Sequence, residues 1–308
     1  MRYLMGIDSG GSKTLGLLEA AGEGGPPRRW QAQVGNTNHH TCGPETAVQR
    51  VAELIEALCG QAALAPAALD GVCFAGAGID SVADEGWMAD ALASLGCGGR
   101  LLVCSDALAA LAGANGALTG GMLLSGTGSI ALGIDRRGAR VRVGGWGYKL
   151  DDAGSGYGIA ILGLRAAYEA LDGRGPATAI GAALLEHTGH ADLHALLDAL
   201  YAPDCTPDAI ARLAPHICAL DGRDEVAGAL LDAAAQALVR LADALVRRLG
   251  LDLVPLGLCG GLLVHVEPLR RRVLRGLADL PQARAHRPRH APVEGALILL
   301  KQHKEGLP

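Results

Sequence analysis

Short apolar blocks alternate with small polar loops over the first part of the chain. Residues 3–20, YLMGIDSGGSKTLGLLEA, place an apolar segment on each side of the loop 10–14. The stretch 21–27 is rich in glycine and proline, which predicts a turn. Residues 28–34, RRWQAQV, then alternate as a half-buried strand does. The pattern therefore predicts strand, loop, strand, turn and strand, with no helix directly after the loop.

The same pattern returns at residues 117–134, ALTGGMLLSGTGSIALGI. An apolar strand again leads into a small polar loop, here 125–129, and a second apolar strand follows. Two hairpins of one design indicate an internal duplication. Glycine lets a backbone approach a ligand closely, and convergent backbone N–H groups bind anions. We therefore predict that both loops bind phosphate, although a plain hairpin turn would explain the first loop alone.

The first loop resembles a Walker A motif but does not match it. Gly6 and Gly11 have the required spacing, yet Ser12 occupies the lysine position and Lys13 comes one residue late. The loop also contains no Gly-x-Gly-x-x-Gly sequence. Both of those phosphate-binding motifs open a helix, whereas a strand follows here. The sequence excludes both contexts.

Asp106 stands at a junction between a predicted strand and a predicted helix. Residues 70–79 and 100–106 read as strands, and a helix is predicted between them at 83–95. A carboxylate at this junction can cap the next helix, or it can face the edge of the sheet where ligands of α/β proteins bind. Ser105 is an equally suitable cap, which leaves Asp106 available for chemistry.

The C-terminal half contains longer helical patterns. Residues 228–250 carry apolar side chains at spacings of three and four, which predicts an amphipathic helix. The segment 254–263, VPLGLCGGLL, reads as a strand that ends in a Gly-Gly turn. The segment 292–303 is also predicted to be helical.

Composition limits the classes of function. The 308 residues, half of them apolar, suit two domains with sizeable cores. The net charge of -5 lacks the basic excess of nucleic-acid-binding proteins, so we expect no nucleic-acid partner. The eight cysteines form no C-x-x-C pair and fit free thiols in a reducing cytoplasm. No signal peptide and no uninterrupted apolar run of about 18 residues is present, so we expect a cytoplasmic protein without a membrane span.

A family resemblance now becomes visible. GIDSGGSKT, AGAG, SDALAAL, SGTGS, GGWGYKLDDAGSGYGI and LGLCGGLL occur in the order typical of the N-acetylglucosamine kinase and BadF/BadG/BcrA/BcrD ATPase family. That family belongs to the actin/Hsp70/sugar-kinase superfamily. The resemblance implies an α/β fold with two ribonuclease H-like, actin-like ATPase domains around a central nucleotide cleft. It implies domains at 1–117 and 118–292, with a C-terminal helix at 293–308 that packs back on the first.

The resemblance also implies a phosphoryl-transfer site. Asp106 is similar to the family's catalytic aspartate, and Asp8, at the end of the first strand, is expected to hold Mg²⁺ directly or through water. ATP is the expected cofactor. Its phosphates and adenosine are expected on Gly10, Gly11, Ser12, Lys13, Thr14, Gly126, Thr127, Gly128, Ser129, Gly260 and Gly261. A glycine turn between a strand and a helix is the alternative for the last two.

The sugar site is implied by three further segments. Asn38 matches a sugar-contacting asparagine, the run Gly145, Trp146 and Gly147 offers backbone and a flat ring, and Asp152 matches an aspartate that binds sugar hydroxyls. A structural turn with a core tryptophan is the alternative for the GGWG run. The family pattern Gly-Asp-Glu-Gly-Ser becomes Asp-Asp-Ala-Gly-Ser at 151–155, so an acceptor is lost and the identity of the sugar is in doubt.

The resemblance favours an ATP-dependent kinase of an amino sugar, with N-acetylglucosamine first and glucosamine, N-acetylmuramic acid or N-acetylmannosamine as alternatives. Two other classes are an ATPase activator of an acyl-CoA dehydratase and a non-catalytic sugar sensor. The sugar-loop residues favour the kinase over the activator. The sequence leaves open which hydroxyl is phosphorylated and whether the protein forms a homodimer.

Overall fold

The structure is a computed structural model that describes residues 1–22 and 25–302. The strands are β1 (Arg2–Ser9), β2 (Lys13–Ala21), β3 (Arg28–Gly35), β4 (Gly71–Gly76), β5 (Arg100–Ser105), β6 (Gly120–Ser125), β7 (Ser129–Ile134), β8 (Arg140–Gly144), β9 (Val254–Cys259) and β10 (Ala283–His286). The helices are α1 (His39–Cys42), α2 (Pro44–Ala62), α3 (Val82–Ser94), α4 (Asp106–Asn115), α5 (Gly156–Leu171), α6 (Ile180–Thr188), α7 (Leu193–Leu200), α8 (Pro207–Ala211), α9 (Ala214–Cys218), α10 (Glu225–Leu249), α11 (Gly261–His265), α12 (Glu267–Leu277) and α13 (Pro292–Gln302).

Packing divides the chain into two units. Unit 1 contains Met1–Thr119 and the segment that starts at Pro288, and unit 2 contains Gly120–Arg287. The sequence places this division after residue 117 and the start of the returning segment at 293. Residues 23–24 of the predicted turn and 303–308 of the predicted last helix lie outside the described residues. No described helix is long and apolar enough to cross a membrane.

Unit 1 is built on a five-stranded sheet in the order β3-β2-β1-β4-β5. The hairpin β1–β2 and the pair β2–β3 are antiparallel, whereas β1, β4 and β5 run parallel. Every residue of β4 is buried, as expected for a central parallel strand with both faces covered. α13 returns to this unit and packs against α4 and β1. An ion pair from Arg29 to Glu294, 2.9 Å long, joins β3 to this helix.

Unit 2 repeats the same topology. Its sheet has the order β10-β9-β6-β7-β8, so β6 and β7 take the places of β1 and β2. β6–β7 and β7–β8 are antiparallel, and β9 and β10 add in parallel. The duplication that the sequence pattern predicts is therefore present in the strand order.

The long helix of unit 2 follows the predicted spacing. Leu231, Leu238 and Leu245 of α10 are fully buried, and they lie at steps of seven residues on one face. This face packs against the sheet through β6, β7 and β8. α10 thereby supports the sheet from beneath the second hairpin.

Candidate active site

Three parallel strands of unit 1 end in one row. Ser9 of β1 is paired with Gly76 of β4, and Gly76 is paired with Ser105 of β5. The carboxyl ends of parallel strands are the edge at which α/β proteins bind ligands. Asp8 and Asp106 both lie within one residue of this row, so the fold brings the two predicted carboxylates to the same edge.

Asp106 is the first residue of α4, whereas the sequence analysis placed it at the end of the strand. Ser105 takes the N-cap position, but its side chain makes no capping hydrogen bond. Burial raises the pKa of Asp106, the charge of Asp80 adds to this, and the backbone N–H of Ala107 opposes it. The result is a half-buried carboxylate at a helix N-terminus that is not used as the cap.

Asp8 is the second half-buried carboxylate of this edge. Burial and the neighbouring charge of Asp106 raise its pKa to about 6, and the ammonium of Lys13 acts in the opposite direction. Two carboxylates that disfavour each other's ionisation form a site to which added positive charge is attracted. The structure therefore places Asp106 and Lys13 close enough to Asp8 to shift its pKa, and the roles of the three residues stay predictions.

Asn38 lies against a glycine of the neighbouring loop. Its side-chain Oδ1 accepts a hydrogen bond of 3.0 Å from the backbone N–H of His40, so it also caps α1. A Cβ on Gly78, whose φ is +88°, would come within 2.5 Å of this Oδ1. Within the described residues the Nδ2 group of Asn38 has no hydrogen-bond partner. The side chain is therefore fixed in place with a donor still available.

A buried chain of hydroxyl groups fixes the loop that carries Asn38. Thr37 donates a 2.6 Å hydrogen bond to Ser9, and its Oγ1 lies 2.9 Å from that of Thr14. All three residues are buried. The chain joins the end of β1, the start of β2 and the loop after β3. Sequence reasoning missed it, because hydroxyl residues near strand ends give no signal about which partner they meet.

The loop of the first hairpin has few contacts of its own. Its tip is closed by a 3.0 Å hydrogen bond from the Gly10 N–H to the Lys13 carbonyl. Gly11, Ser12 and Lys13 are exposed, and a Cβ on Gly11 would meet nothing within 4 Å. Gly11, Ser12 and Lys13 are therefore accessible to a ligand, whereas Thr14 is buried.

The loop of the second hairpin is held by the segment that follows β8. The Gly156 N–H donates to the Gly126 carbonyl at 2.7 Å, and the Tyr157 N–H donates to the Thr127 carbonyl at 3.2 Å. The Ser125 hydroxyl donates to the Gly154 carbonyl at 2.8 Å. The sequence did not predict that the Asp-Asp-Ala-Gly-Ser run would support this loop.

Asp152 is the central residue of that support. Its Oδ1 accepts a 2.8 Å hydrogen bond from the Ser129 N–H, and a Cβ on Gly128 would come within 3.0 Å of it. Its φ is +66°, a conformation uncommon for residues other than glycine. Burial raises the pKa of Asp152, and the hydrogen bond from Ser129 opposes this. The carboxylate faces the second hairpin; its contact with sugar stays a prediction.

Trp146 is a surface residue rather than a core tryptophan, so that alternative reading of the GGWG run is wrong. Its relative exposure is 69%, and the Arg142 guanidinium carbon lies 5.0 Å from the ring centroid. Gly145 has φ +71°, and a Cβ there would come within 2.7 Å of Ile130. The backbone thus needs glycine beside the ring, and the ring itself is free to meet a ligand.

A cavity of about 530 Å³ adjoins the second hairpin within unit 2. It is lined by Gly126, Thr127, Gly156, Asp208, Ala211, Arg212, Pro215, Gly261, Leu262, His265 and Val266. The structure therefore brings Gly126 and Thr127 of the hairpin loop together with Gly261 of the Gly-Gly turn. An apolar cleft with a few polar groups is the usual form of a small-molecule site.

Asp208 of this cavity was not predicted from sequence. It accepts a 2.8 Å hydrogen bond from the Thr127 hydroxyl and a 2.8 Å ion pair from Arg212, and these contacts lower its pKa. Thr206, Pro207 and Asp208 form a recognisable helix start, because Thr206 caps α8 and Pro207 follows it. That signal locates a helix, but the contact with Thr127 depends on the tertiary structure.

Gly260 is required for the strand β9 to end beside β6. Its φ is +85°, and a Cβ would come within 2.2 Å of the Ser125 carbonyl oxygen. A Cβ on the next residue, Gly261, would meet nothing within 4 Å. The first glycine is therefore structural, and the second leaves the cavity wall open.

Comparison with known proteins identifies the family of this chain. The profile of the BadF/BadG/BcrA/BcrD ATPase family matches residues 5–299. The chain belongs to this family.

Two characterised sequences are similar over most of their length. An N-acetylmuramic acid/N-acetylglucosamine kinase from Clostridium acetobutylicum is 32% identical over 213 residues, 69% of each chain. An N-acetyl-D-glucosamine kinase from Dictyostelium discoideum is 30% identical over 264 residues, 80% of each chain. Both relatives are named for amino-sugar substrates.

Solved structures confirm the predicted α/β, actin-like fold. A Chromobacterium violaceum protein with inferred N-acetylglucosamine kinase activity has a TM-score of 0.76 and 30% identity, and the match covers 97% of this chain and 99% of that one. A Schistosoma mansoni hexokinase in complex with glucose has a TM-score of 0.62 at 14% identity, with 97% and 84% covered. The second likeness is one of fold alone.

Proposed function

We propose that this protein is an ATP-dependent kinase that phosphorylates a hydroxyl group of an amino sugar, with N-acetylglucosamine as the first candidate. The observation that carries the proposal is the half-buried Asp106 carboxylate, which lies beside the first glycine hairpin at the edge where β1, β4 and β5 end. The names of the two sequence relatives support the choice of an amino sugar.

Asp106 is the proposed general base. A kinase must orient the sugar hydroxyl and accept its proton while the γ-phosphoryl group moves. The raised pKa of Asp106, caused first by burial, brings it closer to neutral pH, where a base of this kind works best. Its position at the N-terminus of α4 keeps the carboxylate at the strand edge without a capping duty.

Asp8 is the proposed residue for Mg²⁺. The donor chemistry fits, because Asp8 is a half-buried carboxylate whose ionisation is opposed by partial burial and by the charge of Asp106, and a hard divalent cation prefers such oxygen ligands. When bound, Mg²⁺ would neutralise charge on the phosphates. Lys13 supplies further positive charge at the same edge.

The loops of the two glycine hairpins are proposed to bind the phosphates, through Gly10–Lys13 and Gly126–Gly128. Thr14 and Ser129 flank these loops, but both are buried and their hydroxyl groups already bond within the protein. The cavity of unit 2 is proposed to hold adenosine. Leu262 and Val266 offer apolar surface to a base, and Gly261 leaves room against the backbone. Asp208 is proposed either to accept a hydrogen bond from a ribose hydroxyl or to hold the Thr127 side chain in place through the hydrogen bond that it already accepts.

The sugar is proposed to meet Asn38, the run Gly145–Trp146–Gly147 and Asp152. Asn38 supports this with a free Nδ2 donor, and Trp146 with an exposed ring. Ala153 provides only a backbone carbonyl, which already accepts from the Ser129 hydroxyl. The shortened side chain leaves space for a sugar with a larger substituent, so N-acetylmuramic acid stays an alternative.

The test is sugar-dependent ADP release with ATP and Mg²⁺. The panel contains N-acetylglucosamine, N-acetylmuramic acid, glucosamine, N-acetylmannosamine and glucose. A strong response to one amino sugar supports the proposal and identifies the substrate. A flat response with steady sugar-independent ATP hydrolysis would reject it and favour the ATPase-activator class.

A further inference from the structure

We propose that His39, His40 and Asp84 form a binding site for a divalent transition-metal ion of the Zn²⁺ class. The three side chains come from α1 and from the first turn of α3, and one ligand atom of each lies within 4.8 Å of the others. Neither ATP nor sugar requires them in the proposed kinase reaction. The inference therefore goes beyond that reaction and can be tested without it.

The distances fit the geometry of such an ion. Tetrahedral Zn²⁺ has bonds of about 2.0–2.2 Å to imidazole nitrogen and carboxylate oxygen, so its ligand atoms lie about 3.4 Å from one another. Nε2 of His39 lies 3.1 Å from Oδ1 of Asp84, and Nε2 of His40 lies 3.7 Å from the same oxygen. These two separations fall on either side of the tetrahedral value. The three atoms can serve as one face of a coordination tetrahedron after small side-chain movements.

The carboxylate is oriented from behind. Its other oxygen, Oδ2, accepts hydrogen bonds from the Ser81 hydroxyl at 2.6 Å and from the Ser81 N–H at 2.9 Å. These contacts belong to the capping box of α3, and they leave Oδ1 directed at the two imidazoles. Outer hydrogen bonds of this kind fix the ligands of metal sites.

The two imidazole rings differ in their packing and in their exposure to solvent. The ring of His39 packs on Trp87, with centroids 4.5 Å apart, and is largely buried. His40 is 57% exposed, so solvent and an ion can reach the group from its side. The chemistry of two imidazoles and one carboxylate suits Zn²⁺, Co²⁺ or Ni²⁺ better than Mg²⁺, which prefers an all-oxygen set.

The decisive experiment is Zn²⁺ titration calorimetry on the full, tag-free chain after treatment with chelator, without nucleotide or sugar. We expect one ion per chain. His40→Ala should weaken its binding at least about tenfold, by comparison with the cost of disturbing outer ligands alone. Because His40 is exposed, this substitution should leave folding intact. His39→Ala should have the same effect, and excess Mg²⁺ should not compete.

His216→Ala is the matched control. The ring of His216 stacks on that of His187 with centroids 3.5 Å apart. The substitution therefore disrupts the other close histidine pair among the described residues. We expect it to bind Zn²⁺ as the unaltered protein does. A thermal-shift series provides a second readout, since a bound ion should raise Tm in the unaltered chain and in His216→Ala but not in His40→Ala. Unchanged affinity in His40→Ala, or loss confined to His216→Ala, would overturn the proposal.

Discussion

The two glycine hairpins arise from one sequence pattern and have different surroundings. The loop of the first, between Ser9 and Thr14, is closed by one internal hydrogen bond and has an exposed tip. The loop of the second, between Ser125 and Ser129, is bound along its length by the segment 152–157. The two units therefore share the strand order, but their hairpin loops differ in how firmly hydrogen bonds hold them.

The acidic residues follow the same division. Beside the first hairpin, Asp8 and Asp106 are half-buried carboxylates whose pKa values are raised mainly by burial. The charge of Asp106 adds to the shift of Asp8, and the charge of Asp80 adds to that of Asp106. Beside the second, Asp152 is engaged by the Ser129 N–H. A preorganised loop costs little reorganisation at the moment of reaction, while an open one can adjust to a ligand. We infer that the loop of the second hairpin is preorganised, whereas the loop of the first hairpin adjusts when a ligand binds.

The largest effect is expected at Asp106. Asp106→Asn should lower phosphotransfer at least about a hundredfold, since the amide cannot accept the hydroxyl proton. Thermal stability and ATP binding should be retained, because the side chain is not the helix cap. Steady-state kinetics and nucleotide titration would measure this, with Asp80→Asn as the control for a nearby charge. Near-normal turnover of the Asp106→Asn variant would show that Asp106 is not the base. The reactive carboxylate would then no longer distinguish the first hairpin from the second.

Gly260→Ala should cause the largest loss of stability. The new methyl group would meet the Ser125 carbonyl at 2.2 Å in a backbone with φ +85°, which should lower the free energy of unfolding by about 2–4 kcal/mol. Gly261→Ala is the control, because its Cβ has no neighbour within 4 Å. Urea unfolding of both variants tests whether Gly260 is packed tightly against Ser125 at the start of the second hairpin loop. Equal urea midpoints for the two variants would contradict this tight packing.

Two substitutions of Asp152 distinguish its support of the second hairpin from its proposed contact with sugar. Asp152→Ala leaves the buried Ser129 N–H without an acceptor and should cost about 1–3 kcal/mol of unfolding free energy. Asp152→Asn keeps an acceptor oxygen and tolerates the left-handed backbone, so it should cost much less. Urea midpoints and the KM for sugar should be measured for both. If Asp152→Asn raises the KM for sugar without a change in the urea midpoint, the carboxylate also binds sugar. If neither variant is destabilised, Asp152 does not support the hairpin.

The smallest effect concerns the far end of β2. Burial raises the pKa of Glu19, but hydrogen bonds from Lys301 and Arg29 outweigh it and hold the pKa below its ordinary value. This stabilisation is complete above the unfolded pKa of about 4.3 and is lost as pH falls through the lower folded pKa. Because Arg29 and Lys301 are nearly half exposed, we expect only about 1 kcal/mol. Urea midpoints between about pH 6 and about pH 3 should fall further for the unaltered chain than for Glu19→Gln; parallel curves would argue against it.

Much of the candidate site was accessible from local pattern. Asp8, Asp106 and both glycine loops were predicted because each stands at or directly after the end of an apolar strand, and strand ends are where ligands bind. Asp208 and the hydroxyl chain of Ser9, Thr14 and Thr37 were missed. Their partners lie 81, 28 and 23 residues away along the chain, and no short-range signal encodes such a pairing.

The sequence by itself determined the hairpins, the amphipathic α10 and the repeated order of elements, because apolar periodicity and glycine loops act over a few residues. Only the tertiary structure decided that Ser9, Gly76 and Ser105 share one register, since that depends on packing between distant strands. It also decided that the 152–157 segment supports the second hairpin and that Trp146 lies at the surface. Burial and pairing depend on which side chains meet across the fold, and those contacts are formed by residues far apart in the chain.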